Sequence, residues 1–392
     1  MQNKFIPLSV PNIKGNELKY VTNAIKTEWV STAGADIKTF EENFAKYLNV
    51  PYSCAVQSGT AGLHLCLRHF GISQGDIVLV PSLTFIATVN PVIYQNAEPV
   101  FFDCDDNMCL DPVQVEKYLS EECSFDGEKT FEKNSKKQVK AVMPVHIFGD
   151  TCDMDKIMQL AEKYKLIVIE DATESLGTKF ISENYKGKYT GTAGHAGVFS
   201  FNGNKIITTG GGGMVVSNDE FCIKHIKYLS QQAKDDDVYF INNEVGYNYR
   251  MTNIQAALGI AQLEQLDSFI EIKKNNHKLY GKLLKNSKGV EFVNFHAADY
   301  ANYWFYSLKI KSGDISVRDK FIKYMSENKV QVRPLWKLNH TQKPFLHFKK
   351  TDCSNAEKFY KQIVNIPCSS NLSEEDVERV CSLISNFDFG GK

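Results

Sequence analysis

The sequence predicts an α/β fold: a mainly parallel sheet covered by helices on both faces, followed by a smaller C-terminal α/β domain. Three observations carry this. Across the first two thirds of the chain, short near-continuous apolar runs alternate with amphipathic stretches, as strands buried on both faces require. The chain has 392 residues, two to three times the ~150 of an ordinary domain. Hydrophobic residues at 43% and charged residues at 23% are enough for a sizeable core.

The apolar runs lie at 77–81, 99–103, 141–147, 166–171, 197–201 and 213–217. Between them, helices are predicted at 60–70 and 154–164, where apolar positions recur three and four apart. The last two runs, with glycines between them, read as a local hairpin. Residues 120–138 are polar and lysine-rich with one Asp-Gly turn, and read as a solvated surface hairpin. From Thr252 a helical pattern runs through Leu266 toward Leu284. β-type segments follow at 303–310 and 330–333, with helices at 316–327 and 373–386. We therefore expect a large domain over 1–255, carrying the 120–138 excursion, and a small domain over 256–392.

Charge narrows the functions. Lys and Arg number 45 against 46 Asp and Glu, a net charge of −1. A dedicated nucleic-acid binder is excluded by that balance and by the lack of a basic block. No apolar run reaches the ~18 residues of a membrane span. The start, Met1 to Pro7, has no long apolar core and does not read as a secretion signal. Ten scattered cysteines include no CxxC pair, and Cys54 and Cys66 fall in apolar, strand-like stretches. Reduced thiols in a cytoplasmic protein are the expectation. The nine histidines contain no HExxH, and His64 and His69 do not share a helix face, so no metal site is expected.

Three segments carry chemistry. From Ser200 an apolar strand ends, Lys205 follows five residues later, and Gly210 to Gly213 are four consecutive glycines. Such a run costs backbone entropy unless chain or ligand must approach closely. A P-loop fails, because Met214 stands where Gly-Lys-Ser/Thr is needed. A mobile hairpin with a solvated lysine explains this segment equally well. In the second segment, the strand at 166–171 delivers Glu170 and Asp171 at its C-terminal end, where open α/β sheets bind ligands. One of those acids also suits a helix cap. The third, Gln57-Ser58-Gly59-Thr60-Ala61, is a small-residue turn into a helix, whose free N–H groups suit a phosphate. Such turns cap helices widely. Taken in order, the lysine, the strand-end acid and the anion-binding helix start match the needs of pyridoxal phosphate. The lysine amine bonds the cofactor aldehyde, the acid keeps the ring nitrogen protonated, and the helix start holds the phosphate.

The stretches Gly15-Asn16-Glu17-Leu18, Ser58-Gly59-Thr60-Ala61, Pro81 to Thr88, Glu170 to Gly177, Ser200 to Gly213 and Tyr247 to Asn253 resemble the DegT/StrS-type sugar aminotransferases. These are fold-type I pyridoxal-phosphate enzymes that aminate nucleotide-linked keto sugars, and the resemblance spans essentially the whole chain. It implies that Lys205 is the Schiff-base lysine and proton shuttle, and that Asp171 pairs with the pyridinium nitrogen. Phe85 would pack on the cofactor face. Gly59, Thr60 and Ser200 would hold the phosphate, and Asn248 would reach the phosphate of a neighbouring subunit in a homodimer with shared active sites. Glu174 stands where many members have His or Gln near the cofactor's phenolic oxygen. With Asn202-Gly203-Asn204 and Arg333-Pro334-Leu335-Trp336, that acid is similar to the branch making bacillosamine- and legionaminic-type precursors.

That branch implies amination at C4 of a nucleotide-linked 4-keto-6-deoxy-N-acetylhexosamine, with glutamate leaving as 2-oxoglutarate. Trp336 and His340 would line the sugar or nucleotide pocket, although a packed turn explains both as well. Tyr249 and Arg250 would meet anionic substrate groups, with a surface ion pair as the competing view. Perosamine-type or 3-keto substrates are the alternative within the family. Sugar-dehydrating members carry histidine at the position of Lys205, and a non-enzymatic regulator needs no buried amine facing an acid, so both rivals fit poorly.

Overall fold

A computed structural model describes residues 4–236 and 238–390. Nine strands form the larger sheet: β1 (Tyr52–Val56), β2 (Ile77–Pro81), β3 (Glu98–Phe102), β4 (Cys123–Phe125), β5 (Thr130–Glu132), β6 (Gln138–Val142), β7 (Ile167–Asp171), β8 (Ala196–Ser200) and β9 (Gly213–Ser217). Their main order is β1-β9-β8-β7-β6-β2-β3, with β4 and β5 added beside β6. The pairs β2–β3, β2–β6, β6–β7 and β7–β8 are parallel. β9 runs antiparallel to both β8 and β1, so the sheet is mixed and mainly parallel. The apolar runs read from the sequence become its central strands because helices cover both faces.

The second sheet has β10 (Val290–Phe292), β11 (Tyr306–Ile310), β12 (Arg333–Pro334) and β13 (Ile363–Ile366), ordered β10-β11-β13-β12 and antiparallel throughout. One apolar cluster runs from Leu79 and Phe102 on the larger sheet to Leu308 and Val364 on the smaller. The two sheets therefore share a core. Residue 255 falls inside the helix Asn253–Leu263, which packs on the helices Glu17–Lys26 and Ala35–Leu48.

Local departures from the sequence reading have local causes. The regular strand in the run at 141–147 ends at Val142; Pro144 has no N–H to donate, and beyond it pairing continues as a bridge between Val145 and Asp171. Strand β11 starts at Tyr306 rather than 303, because Tyr303 adopts a left-handed φ of 56°. The long helix from 252 breaks at Glu264–Gln265 into Asn253–Leu263 and Leu266–Leu284. From the 330–333 segment, Val330 bridges Ile6, and only Arg333 goes on to pair with β13. Cys66 sits on the helix Gly59–His69, not on a strand. All ten cysteines are unpaired and buried. The 120–138 excursion is a hairpin of β4 and β5, yet it is anchored rather than merely solvated. The buried Thr130 hydroxyl donates to the Tyr164 carbonyl at 2.7 Å, and Lys349 reaches the buried Glu132 at 2.9 Å.

Candidate active site

Four parts of the larger sheet converge on a cavity of 330 Å³. Asp171 ends β7, Ser200 ends β8, the loop after β2 carries Phe85 and Thr88, and the helix Gly59–His69 starts at its rim. Carboxyl ends of parallel strands leave their loops and helix starts free to make such a crevice. Lys205, Glu174 and Trp336 complete the wall.

The helix start shows why the sequence there is built of small residues. Ser58 caps the helix, its Oγ accepting from the Ala61 N–H at 3.0 Å. The N–H groups of Gly59 and Thr60 lie in the first turn, where no intrahelical carbonyl can reach them. A Cβ on Gly59 would stand 2.9 Å from Thr173 Cγ2 and 3.1 Å from Ser200 Cβ. The glycine run closes the same corner. Gly212 has φ +131°, and a Cβ on Gly213 would lie 2.7 Å from the Phe199 carbonyl oxygen and 2.8 Å from Gly59 N. The left-handed φ explains Gly212 and close backbone approach explains Gly213, so mobility is not needed for either.

Lys205 is tucked into the cavity. Its Nζ lies 4.0 Å from Glu174 Oε1 and 4.0 Å from the centre of the Trp304 ring. Burial lowers the basicity of this amine, and the carboxylates of Glu174 and Asp171 pull it partly back. Glu174 is pushed up by burial, against the opposing pull of Lys205 and the Phe148 N–H, which donates to Oε2 at 2.7 Å. Asp171 is buried, and its Oδ2 accepts from the Thr88 hydroxyl at 2.7 Å. Thr88 in turn shares a 2.8 Å hydrogen bond with Thr84.

These residues fit pyridoxal phosphate. A buried amine of lowered basicity suits bonding to an aldehyde, and a fixed carboxylate with lone pairs to spare suits a protonated ring nitrogen. The helix start, where Gly59 leaves no room for a Cβ, suits a phosphate beside Ser200. Phe85 is 50% exposed at the mouth and packs on Trp336 with ring centres 5.9 Å apart. An aromatic ring left so open beside a cavity is available to a flat ligand.

Four other residues singled out from the sequence lie off this cavity wall. Asn248 is exposed, and its backbone bridges Gln231. Tyr249 stacks on Tyr247, rings 5.0 Å apart and inclined by 16°. Arg250 is neither on the cavity wall nor a surface pair. It bridges to Val56 at the end of β1, which turns its side chain inward; Nη1 reaches Glu41 Oε1 at 2.5 Å and the Ala55 carbonyl at 3.0 Å. Arg250→Ala is expected to cost about 3 kcal/mol by leaving the buried Glu41 with only the half-exposed Lys227, 4.0 Å away, as a countercharge, which denaturant unfolding would measure. His340 is also buried away from the cavity, its Nδ1 2.5 Å from Ser82 Oγ. Its neighbour Asn339 donates from Nδ2 to the Thr84 carbonyl at 2.8 Å, so this turn braces the loop that carries Phe85 and Thr88.

Trp304 and Thr88 were not singled out from the sequence. Thr88 closes the Pro81–Thr88 stretch, and only the bend before the turn Ile86–Thr88 brings its hydroxyl to that of Thr84. The Asn-Tyr-Trp-Phe run at 302–305 had no chemical signal beyond its aromatic density.

The model of the DegT/DnrJ/EryC1/StrS aminotransferase family matches residues 11–385. EpsN of Bacillus subtilis (strain 168), named as a pyridoxal phosphate-dependent aminotransferase, is 39% identical over 387 residues, 97% of this chain and 95% of that one. The GDP-perosamine synthase of Caulobacter vibrioides is 36% identical over 381 residues, 97% of each chain. The UDP-4-amino-4,6-dideoxy-N-acetyl-beta-L-altrosamine transaminase of Campylobacter jejuni is 32% identical over 397 residues, 96% of this chain and 95% of that one. The chain belongs to the DegT/DnrJ/EryC1/StrS family of fold-type I aminotransferases, enzymes whose cofactor is pyridoxal phosphate.

Proposed function

We propose that the protein transfers the amino group of glutamate to C4 of a nucleotide-linked 4-keto-6-deoxy-N-acetylhexosamine, giving a 4-amino-4,6-dideoxy sugar nucleotide and 2-oxoglutarate. The observation that carries the reading is the wall around Lys205, where Glu174, Asn202 and Asn204 all line the cavity. Amide-bearing residues on the wall of this cavity suit a ring that bears hydroxyl and acetamido groups, and Glu174 sets this chain apart from members with His or Gln there. The name of the Campylobacter relative, a 4-amino-4,6-dideoxy-N-acetyl sugar transaminase, supports the same class.

Bound in the cavity, pyridoxal phosphate supplies an aldehyde that bonds amines and a ring that withdraws electrons from the substrate carbon. The protein's residues do the rest. Lys205 Nζ, neutral when freed, takes a proton from the α-carbon of glutamate and later delivers one to C4 of the sugar. Asp171 keeps a proton on the ring nitrogen, and Thr88 fixes its carboxylate. Gly59, Thr60 and Ser200 hold the phosphate, Phe85 covers the ring, and Glu174 faces the phenolic oxygen. Trp336, packed between Phe85 and Phe148, borders the sugar. Asn248 is assigned to the phosphate of a partner subunit in a homodimer, a role supported by its exposure. Tyr249 is assigned to the substrate of that same shared site. The ten unpaired thiols favour the cytoplasm as the place of work.

A GDP-linked, perosamine-type substrate is the second reading, favoured by the Caulobacter relative. Offering UDP- and GDP-linked 4-keto-6-deoxy sugars with glutamate, and weighing the products by mass spectrometry, separates the two. Amination of the UDP-linked N-acetyl sugar is the expected result. Amination of the GDP sugar alone would replace the first reading by the second, and amination of neither would overturn both.

A further inference from the structure

We propose that Trp304 is a positioning residue for Lys205, anchoring the main chain before the lysine through its indole N–H and receiving on its ring face the ammonium that forms when the freed, neutral amine takes up a proton. This rests on Lys205 being the reacting amine, which must then be unbonded during part of each turnover. The geometry supports both halves. Trp304 Nε1–H donates to the Asn204 carbonyl at 2.8 Å, one residue before the lysine, and Lys205 Nζ stands 4.0 Å from the centre of the same ring. A cation over an indole face is attracted by the ring quadrupole, most strongly where water is scarce. Trp304 itself is 2% exposed and stacked on Phe305, ring centres 3.9 Å apart and inclined by 8°.

The segment that holds Trp304 also reaches the other groups around the lysine. Asn302 Oδ1 accepts from the Trp304 N–H at 2.9 Å, while its Nδ2 donates to the Glu174 carbonyl at 2.9 Å and the Leu176 carbonyl at 3.0 Å. Phe305 N–H donates to the Phe148 carbonyl at 3.3 Å, and the Phe148 N–H holds the Glu174 carboxylate. Asn302, Trp304 and Phe305, at the entrance to β11, thus fix the lysine on one side and its acidic neighbour on the other. The charged groups facing the amine are Glu174 and Asp171, so the indole is a neutral third partner. It can hold an ammonium without competing for its proton.

The test compares Trp304→Leu, which loses both ring face and N–H, with Trp304→Phe, which keeps a ring face. In the cofactor-free full chain, competitive labelling with acetic anhydride at neutral pH, read at residue 205 by mass spectrometry, reports how much of the amine is uncharged. Labelling of Lys205 is expected to rise about three- to tenfold in Trp304→Leu and little in Trp304→Phe. In the loaded enzyme, kcat is expected to fall about tenfold in both variants, with the KM for glutamate little changed. Unchanged labelling in folded Trp304→Leu would overturn the proposal. Should that variant not fold, a wild-type kcat in Trp304→Phe would do so. Borohydride reduction of the wild-type holoenzyme keeps the two ideas apart. If the cofactor is not fixed to Lys205, the reading of the site fails; if it is, negative results in the variants count against Trp304 alone.

Discussion

Lys205→Ala is expected to lose amino transfer, falling at least ~10³-fold in kcat, since under the proposed function the lost amine is both the covalent anchor and the proton carrier. Two features of the site set that scale. The amine is enclosed beside Glu174 and Trp304, and among the described residues lining the cavity there is no second lysine to substitute for it. The residues left behind, Asp171 and the helix start at Gly59, can still bind the cofactor. The visible band of the bound cofactor should shift toward that of the free aldehyde, and conversion of glutamate to 2-oxoglutarate should drop to background. The folded protein should remain, because Glu174, already pushed up by burial, can take up a proton once the amine is gone. Normal turnover by this variant would end the assignment of Lys205.

Asp171→Asn is expected to lower kcat by about 10²–10³-fold, the usual cost of removing one preorganised charge from an enclosed site. Asparagine has the same shape, and its amide oxygen can still accept from the Thr88 hydroxyl, so the loop should stay in place. What disappears is the negative charge that favours a proton on the ring nitrogen. The half-reaction with glutamate should therefore slow far more than cofactor binding weakens, which stopped-flow absorbance and a cofactor titration would measure separately. A loss confined to cofactor affinity, with the half-reaction intact, would show that Asp171 is an anchor only. Lys205→Ala and Asp171→Asn thus probe different atoms of one arrangement.

The central elements were legible because their signals are local. Strands β2, β7 and β9 announce themselves as unbroken apolar runs, and Asp171 stands at the end of one of them, where chain direction alone puts it at the ligand-binding edge. The helix start at Ser58-Gly59-Thr60 is readable from residue type, since a capping hydroxyl followed by glycine has few other uses. Arg250 and His340 were not readable in this way. A charged side chain beside a motif looks the same in sequence whether it faces a ligand or, as Arg250 does, a buried carboxylate 209 positions away. Trp304 gave no chemical signal, because an aromatic residue entering a strand is normally core.

Sequence by itself determined the α/β class and singled out Lys205, Asp171 and the small-residue helix start, which meet at one cavity. Each of these depends on residue type and on spacing along one short segment, which folding does not change. Tertiary structure alone decided which distant side chains join them: that Thr88 holds Asp171, that Trp304 lies under the lysine, and that Arg250 turns inward to Glu41. Those contacts bring together segments far apart in the chain, and their partners are selected by packing and by the burial of charge, neither of which leaves a periodic mark in the sequence.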